Sequence, residues 1–265
     1  MLAYRHAFHA GNHADVLKHI VLLRLMRHMS LKEKGFRLVD THAGAGLYAL
    51  ESPQAQKKGE YLQGIARLWS RDDLPEAAAD YVQQVRAFNP EGALRHYPGS
   101  PMLAHALLRP QDQLRLFELH PSDHAELVAQ LGGARGVDIR QADGFAALKS
   151  QLPPPTRRAL VLVDPSYEGQ GDYARVLDTL QDALRRFAEG VFMVWYPVVS
   201  KPGAATLVQG LKSLAPRGWL HARLSLLKTP SAEFWADASR FGRLVWAGLS
   251  RVCSRWRWRG PHRLA

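Results

Sequence analysis

The chain has 265 residues, 46% of them hydrophobic, with 35 Lys and Arg against 24 Asp and Glu and a formal net charge of +11. That hydrophobic share excludes a disordered or fibrous chain, and the charge points to a polyanionic partner, nucleic acid before an acidic membrane. Cys253 is the only cysteine, which excludes an intramolecular disulfide and a cysteine-rich metal centre, and no stretch reaches the roughly 18 uninterrupted apolar residues of a membrane span, so a cytoplasmic protein is expected.

The opening stretch, YRHAFHAGNHADVLKH, carries histidines where a secretion signal needs an apolar core. From Asp15 to about Lys34, apolar residues (Val16, Leu17, Ile20, Val21, Leu23, Leu25, Met26) recur at helical spacing and predict a long amphipathic helix, entered through Gly11-Asn12. His9 and His13 stand i, i+4 and would face one another on a helix as zinc ligands do. No neighbouring acid or cysteine completes that set, so no metal is expected. FRLVD, 36 to 40, is a short buried strand, and THAGAG is a glycine turn. Residues 51 to 98 are polar, with YLQGIARLW and LPEAAADYVQQVRAF as periodic segments; they predict a small helical insertion closed by YPGSP. Beyond it follow helix 101–108, strand LRLFEL, helix 122–131, strand VDIRQAD, a short helix with a PPPT loop, and strand ALVLVD. Helix 173–188, strand VFMVWYP, helix 203–214 and strand HARLSLL complete the alternation. Arg157 and Arg158 read as solvated. Strands alternating with helices predict an α/β fold with a doubly wound, mostly parallel sheet.

Four stretches follow from this: 1–50 (first helix, first strand and glycine turn), 51–98 (the insertion), 99–228 (the rest of the α/β domain) and 229–265 (a tail). The tail has no Asp or Glu from Ala238 onward, and its arginines interleave with Trp246, Trp256 and Trp258. Such a segment is either an arm that stacks on bases or a poorly folded end.

In open α/β sheets, ligands sit beyond the carboxyl ends of the strands. Four polar clusters fall at such ends: Asp40 to Gly46, Glu118 to His120, Asp143-Gly144 and Asp164 to Tyr167. Their succession predicts one shared site. Gly44, Gly46 and Ala49 satisfy G-x-G-x-x-G/A, which leaves open a NAD-dependent oxidoreductase. A dinucleotide fold, however, wants an acid about 20 residues on, and the next strand-end acid, Glu118, lies beyond the insertion. Asp40, before the glycines, suits a ligand with a positive centre. S-adenosylmethionine is one, with Glu118 for its ribose hydroxyls, Asp143 for its adenine amine, and Gly144 allowing close approach. In DPSY, the Asp164 carboxylate and the Pro165 carbonyl would accept both hydrogens of an exocyclic amine and draw its lone pair towards the methyl donor. Proline fixes that turn, and Tyr167 would offer a stacking face to a base swung out of its helix.

With YRHAFHAGNHADVLKH, LVDTHAGAG, LFELHPSD, QADGF and LVDPSYE in that order, the chain resembles the bacterial 23S ribosomal RNA adenine-N6 methyltransferases of the J type, the RlmJ family, from residue 1 to about residue 228. The resemblance implies a Rossmann-like class I S-adenosylmethionine-dependent methyltransferase fold with a helical insertion after the first motif. It implies N6 methylation of one adenine in 23S rRNA, on free or early-assembly RNA, by a monomer using S-adenosylmethionine and no metal. By the same resemblance His19, His42, Ser100, Glu118, Asp143, Gly144 and Asp164 would contact the cofactor, beside Asp40, Gly44 and Gly46 from the glycine turn. Asp164, with Pro165 and Tyr167, would carry catalysis, and Tyr4 and Lys18 would meet the substrate RNA. Two departures stand out. Ser166 replaces the usual second proline of Asp-Pro-Pro-Tyr, which predicts activity with a looser loop. Past Lys228 the family's closing motifs are missing, and the tail reads like out-of-frame translation. A non-catalytic RNA-binding protein is the reading that these departures would favour.

Overall fold

The apolar runs become one sheet of seven strands. The computed structural model describes residues 5–169, 171–199, 202–214, 219–223 and 240–247. At its centre β1 (Arg37–Asp40) lies between β4 (Gln113–Phe117) and β6 (Ala159–Val163). β5 (Val137–Arg140) flanks β4, while β7 (Val191–Val199), β9 (Arg240–Ala247) and β8 (Trp219–Arg223) follow β6 in that order. Pairs from β5 to β7 are parallel; β9 runs antiparallel to both β7 and β8. A reversed strand between the last two separates this sheet from the all-parallel dinucleotide-binding order. The architecture is the Rossmann-like methyltransferase class that the resemblance implied.

All five residues of β6 are buried, because helices cover both sheet faces and such strands read as unbroken apolar runs. Leu38, Leu160 and Leu162 pack under α1 (His13–Ser30), α5 (Ser100–Ala106) and α6 (Pro121–Leu131). Val39, Val161 and Val163 face α7 (Gly144–Gln151), α8 (Asp172–Arg186) and α9 (Pro202–Leu214). Helix α8 buries Tyr173, Val176, Leu180 and Ala183, one stripe at helical spacing. Burying its Val and Leu contributes about 1.5–3 kcal/mol each.

Helix α1 starts two residues before the predicted point and stops four short of Lys34. Asn12 caps it, its Oδ1 accepting the Asp15 N–H at 2.9 Å, and Arg158 closes its far end. Arg158 is therefore not solvated; its guanidinium donates to the carbonyl of Met29, which the helix end leaves without a partner, and to that of Lys34 beyond it. The helix is also less one-sided than expected. Leu22, Met26 and Met29 meet the sheet, while Leu23 joins a second core with the insertion.

That insertion holds α2 (Pro53–Lys58), α3 (Ala66–Trp69) and α4 (Glu76–Arg86). YLQGIARLW is broken at Gly64, where a Cβ would lie 2.1 Å from the Gly11 carbonyl oxygen. Two short strands not anticipated from the sequence, β2 (Leu47–Ala49) and β3 (His96–Pro98), pair antiparallel with Tyr48 opposite Tyr97 and clamp the insertion at both ends. Three residues are too few to show a strand period. Ile65, Tyr81, Val82 and Val85 share their core with Ala10, Leu23 and Leu103, so the insertion packs on the main domain.

The segment set apart as a tail contributes an inner strand: β9 pairs with β7 from Val199↔Arg240 to Phe192↔Ala247. For residues 240–247 this replaces the reading of a poorly folded end. Residues 248–265, with Trp256 and Trp258, lie outside the described residues, as do the last four residues of HARLSLL.

Candidate active site

Beyond the carboxyl ends of β1, β4, β5 and β6 the sheet opens into a cleft of about 320 Å³, reached by His42 and Gly44, Glu118, Gly144, and Asp164 with Pro165. The four clusters thus meet, as their spacing predicted. Lys18 and His19 of α1 and Ser100 of α5 complete the wall.

Not every member faces the ligand space. Asp40 is fully buried below the cleft, accepting from Ser100 Oγ at 2.7 Å and the His42 N–H at 3.2 Å. It shapes the floor through Ser100 instead of touching a cationic ligand. Burial pushes its carboxyl up to about 6, and the Ser100 hydroxyl keeps the rise from being larger. The sign follows directly. A raised folded value makes the protonated acid the form that folding favours, so Asp40's contribution is complete below its ordinary 3.8 and is lost as pH rises through about 6. Asp40→Asn is therefore expected to stabilise the protein above pH 7 by on the order of 2 kcal/mol and to change little below pH 4. Urea midpoints at both pH values measure this, and a pH-independent difference would contradict it.

Gly46 also stands outside the cleft. Its φ of +89° makes a turn, and a Cβ there would press on Gln130 and Leu127 of α6. Gly44, at φ +67°, lies in the cleft and donates its N–H to Glu118 Oε2 at 2.8 Å. The other Glu118 oxygen accepts the His120 N–H at 2.7 Å, which fixes the carboxylate against the glycine turn. Gly144 lines the cleft and is required by Thr41, since a Cβ would sit 1.9 Å from the Thr41 carbonyl oxygen. Asp143 caps α7 through the Phe145 N–H at 3.0 Å and pairs with Arg175 at 2.6 Å. Burial alone would raise Asp143, but the Arg175 guanidinium holds it below the ordinary value.

The charged centre is a cluster that the sequence reading only half identified. Lys18 Nζ lies 2.9 Å from Asp15 Oδ1 and 2.7 Å from Asp164 Oδ2. Asp15 Oδ2 in turn accepts the Gly11 N–H and meets His6 Nε2, both at 2.9 Å. Asp15 is 2% exposed and Lys18 5%. Burial opposes both charges, yet His6 and Lys18 hold Asp15 well below the ordinary carboxylate value, and Asp15 and Asp164 hold Lys18 well above the ordinary lysine value. Lys18 is therefore held between two carboxylates in the cleft wall. The missed Asp15 had one signal, its i, i+3 spacing to Lys18 on one helix face.

Tyr167 is held within the protein. It is 3% exposed, its hydroxyl donates to the Trp195 carbonyl at 2.7 Å, and its ring packs 4.8 Å from Tyr173. It borders the cleft without offering a free stacking face. At φ +55° it is one of two described non-glycine residues in the left-handed region, a conformation that costs about 1–3 kcal/mol and clusters at functional sites. Ser166 beside it is exposed on the cleft.

Two neutral imidazoles lie among these charges. Burial pushes His42 down to about 4 and His19 to about 3. His42 Nδ1 bonds Thr41 Oγ1 at 2.8 Å and its edge meets Phe145. His9 precedes α1, so it has no i, i+4 geometry with His13; its Nδ1 pairs with Glu60 at 2.9 Å. Among the described residues no group of three or more metal-ligating side chains occurs. Tyr4 lies outside the described residues.

The chain is similar to known proteins. The family model described as Ribosomal RNA large subunit methyltransferase D, RlmJ, matches residues 33–236. The chain is 47% identical over 227 residues to Ribosomal RNA large subunit methyltransferase J of Escherichia coli (strain K12), covering 86% of this chain and 81% of that one. It is 46% identical over 227 residues to the protein of the same name from Haemophilus influenzae, covering 85% and 81%. A solved structure of a Legionella pneumophila protein superposes with a TM-score of 0.80 at 32% identity, over 91% of this chain and 86% of that one.

Proposed function

Since the chain belongs to the RlmJ family of large-subunit ribosomal RNA methyltransferases, we propose that it transfers a methyl group from S-adenosylmethionine to the exocyclic N6 of one adenine in 23S rRNA. The observation that carries this reading is Asp164, anchored by Lys18 at the strand end that faces the Gly44–Glu118 turn.

The residues fit such a cofactor. His19 Nε2 is buried in the cleft wall with no partner, and the Glu118 carboxylate stands at the turn where ribose hydroxyls can donate to it. S-adenosylmethionine supplies a methyl group on a positively charged sulfur, which keeps the electron pair of the broken bond. Asp164 Oδ accepts one amine hydrogen and the Pro165 carbonyl the other, so the adenine nitrogen directs its lone pair at the methyl carbon. As the N–C bond forms, the nitrogen becomes cationic and releases a proton towards the Asp164 carboxylate. Lys18 keeps that carboxylate oriented. Holding two reactants in line is worth about 7–11 kcal/mol of barrier, so the chain contributes chiefly geometry. The net charge of +11 favours an RNA partner through its phosphates, and the family resemblance implies free or early-assembly RNA.

Incubation with methyl-labelled S-adenosylmethionine and 23S rRNA that lacks this modification is expected to place label on one adenine, recovered as N6-methyladenosine. Folded protein giving no label, or label on another atom, overturns the reading. RNA binding without transfer would favour a non-catalytic protein.

A further inference from the structure

His19 is reached from the insertion by two buried phenols. Tyr81 of α4 and Tyr97 of β3 are both fully buried. Tyr81 Oη lies 3.0 Å from Tyr97 Oη, and Tyr97 Oη lies 2.7 Å from His19 Nδ1. His19 is 1% exposed, and its Nε2, in the cleft wall, has no partner among the described residues.

Counting hydrogens gives the chain a direction. Each phenol carries one hydrogen, and a neutral imidazole carries one on either nitrogen. Among the described residues Tyr81 Oη has a single hydrogen-bond partner, Tyr97 Oη. If Tyr97 donated to Tyr81, the Tyr81 hydrogen would be buried without an acceptor, an arrangement that folded proteins avoid. In the opposite sense both phenol hydrogens are placed: Tyr81 donates to Tyr97, Tyr97 donates to Nδ1, and the one hydrogen left over belongs to a ring that lines the cleft. An accepting Nδ1 leaves the ring's one proton on Nε2. Burial pushes His19 down to about 3, so the ring is neutral and this choice of tautomer is real.

We propose that Tyr81 and Tyr97 lock His19 in its Nε2–H form, making it a hydrogen-bond donor for the carboxylate of the bound cofactor. This rests on the S-adenosylmethionine reading of the cleft. An unpartnered N–H on a residue of the cleft wall suits an acceptor, and the cofactor's amino-acid end carries the one anionic acceptor it has; the acids of the cleft suit its cationic groups. Tyr81 and Tyr97 are then positioning residues, and the insertion acts on the cofactor end of the site without touching the reacting atoms.

Side-chain 1H–15N correlation spectra of the ligand-free protein read the tautomer directly. His19 is expected to show the Nε2–H pattern, and Tyr97→Phe to give a mixture of tautomers. Tyr81→Phe, which keeps the inner bond, is expected to shift in the same direction by less. A wild-type His19 protonated on Nδ1 overturns the lock. Calorimetry adds the ligand side. Tyr97→Phe is expected to bind S-adenosylmethionine about three- to tenfold more weakly and to bind its decarboxylated analogue as the wild type does. Equal weakening for both overturns the carboxylate assignment. Wild-type protein that shows the Nε2–H pattern yet binds neither compound would overturn the cofactor reading and leave the lock standing.

Discussion

Asp164→Ala is expected to lower single-turnover methyl transfer by about 10³–10⁴-fold, the upper range for loss of a positioned proton acceptor, and to leave the protein folded. The two halves of that expectation have separate grounds. Without the carboxylate, neither the orientation of the amine nor the sink for its proton survives, and the Pro165 carbonyl holds one hydrogen at most. Stability behaves differently because Lys18 keeps a second partner, Asp15, at 2.9 Å, so its ammonium is not stranded. Asp164 is moreover the least buried of the three, with 17% of its side chain exposed. Asp164→Asn retains one acceptor oxygen without the charge and should fall between alanine and wild type. Turnover of Asp164→Ala within tenfold of wild type would remove the acceptor from the mechanism.

Much of this site was legible because strand-end position is a sequence property. An apolar run ending in an acid marks a carboxyl edge, and the sheet order brings Asp40, Glu118, Asp143 and Asp164 to the same edge. What the sequence does not carry is the direction of each side chain after the turn. Asp40 and Asp164 end adjacent parallel strands, yet the first points down to Ser100 and the second up to Lys18. Asp143 finds Arg175, a residue 32 positions away on another helix. Tyr167 reads as an exposed aromatic because a polar loop precedes it, whereas the left-handed turn swings it back under the sheet edge. The N-terminal histidines mislead for a related reason. His9 and His13 share a period only if one helix holds both, and the Asn12 cap starts that helix at His13. The same cap sets Asp15 one turn in, where it accepts from Gly11 and anchors Lys18, so the cluster that orients Asp164 is built from residues close together in the chain.

Lys18→Met tests that cluster by stability as well as by rate. The variant is expected to lose about 3–5 kcal/mol near pH 7.5, the cost of leaving buried charge without its partner, a large share of the roughly 5–15 kcal/mol that holds a domain folded. In the wild type, Asp15 is depressed below its ordinary 3.8, so its contribution is present above that value and is lost as pH falls through the folded one. Lys18 is raised above its ordinary 10.5, so its contribution is present below that value and is lost as pH rises through the folded one. Between about pH 4 and pH 10 both contributions are therefore complete. Methionine fills the stem's volume but strands Asp15, whose carboxyl then shifts upward. A raised carboxyl is stabilising while protonated, so the deficit of the variant should shrink as pH falls from 7.5 to 5. Adding Asp15→Asn should recover most of the loss at neutral pH by removing the stranded charge, yet methyl transfer should stay low, because nothing then anchors Asp164. Urea midpoints of the three proteins at the two pH values, with single-turnover rates at pH 7.5, separate these outcomes. A deficit under 1 kcal/mol, or one identical at both pH values, would mean that packing and not charge holds this corner together, and recovered activity in the double variant would mean that Asp164 needs no anchor.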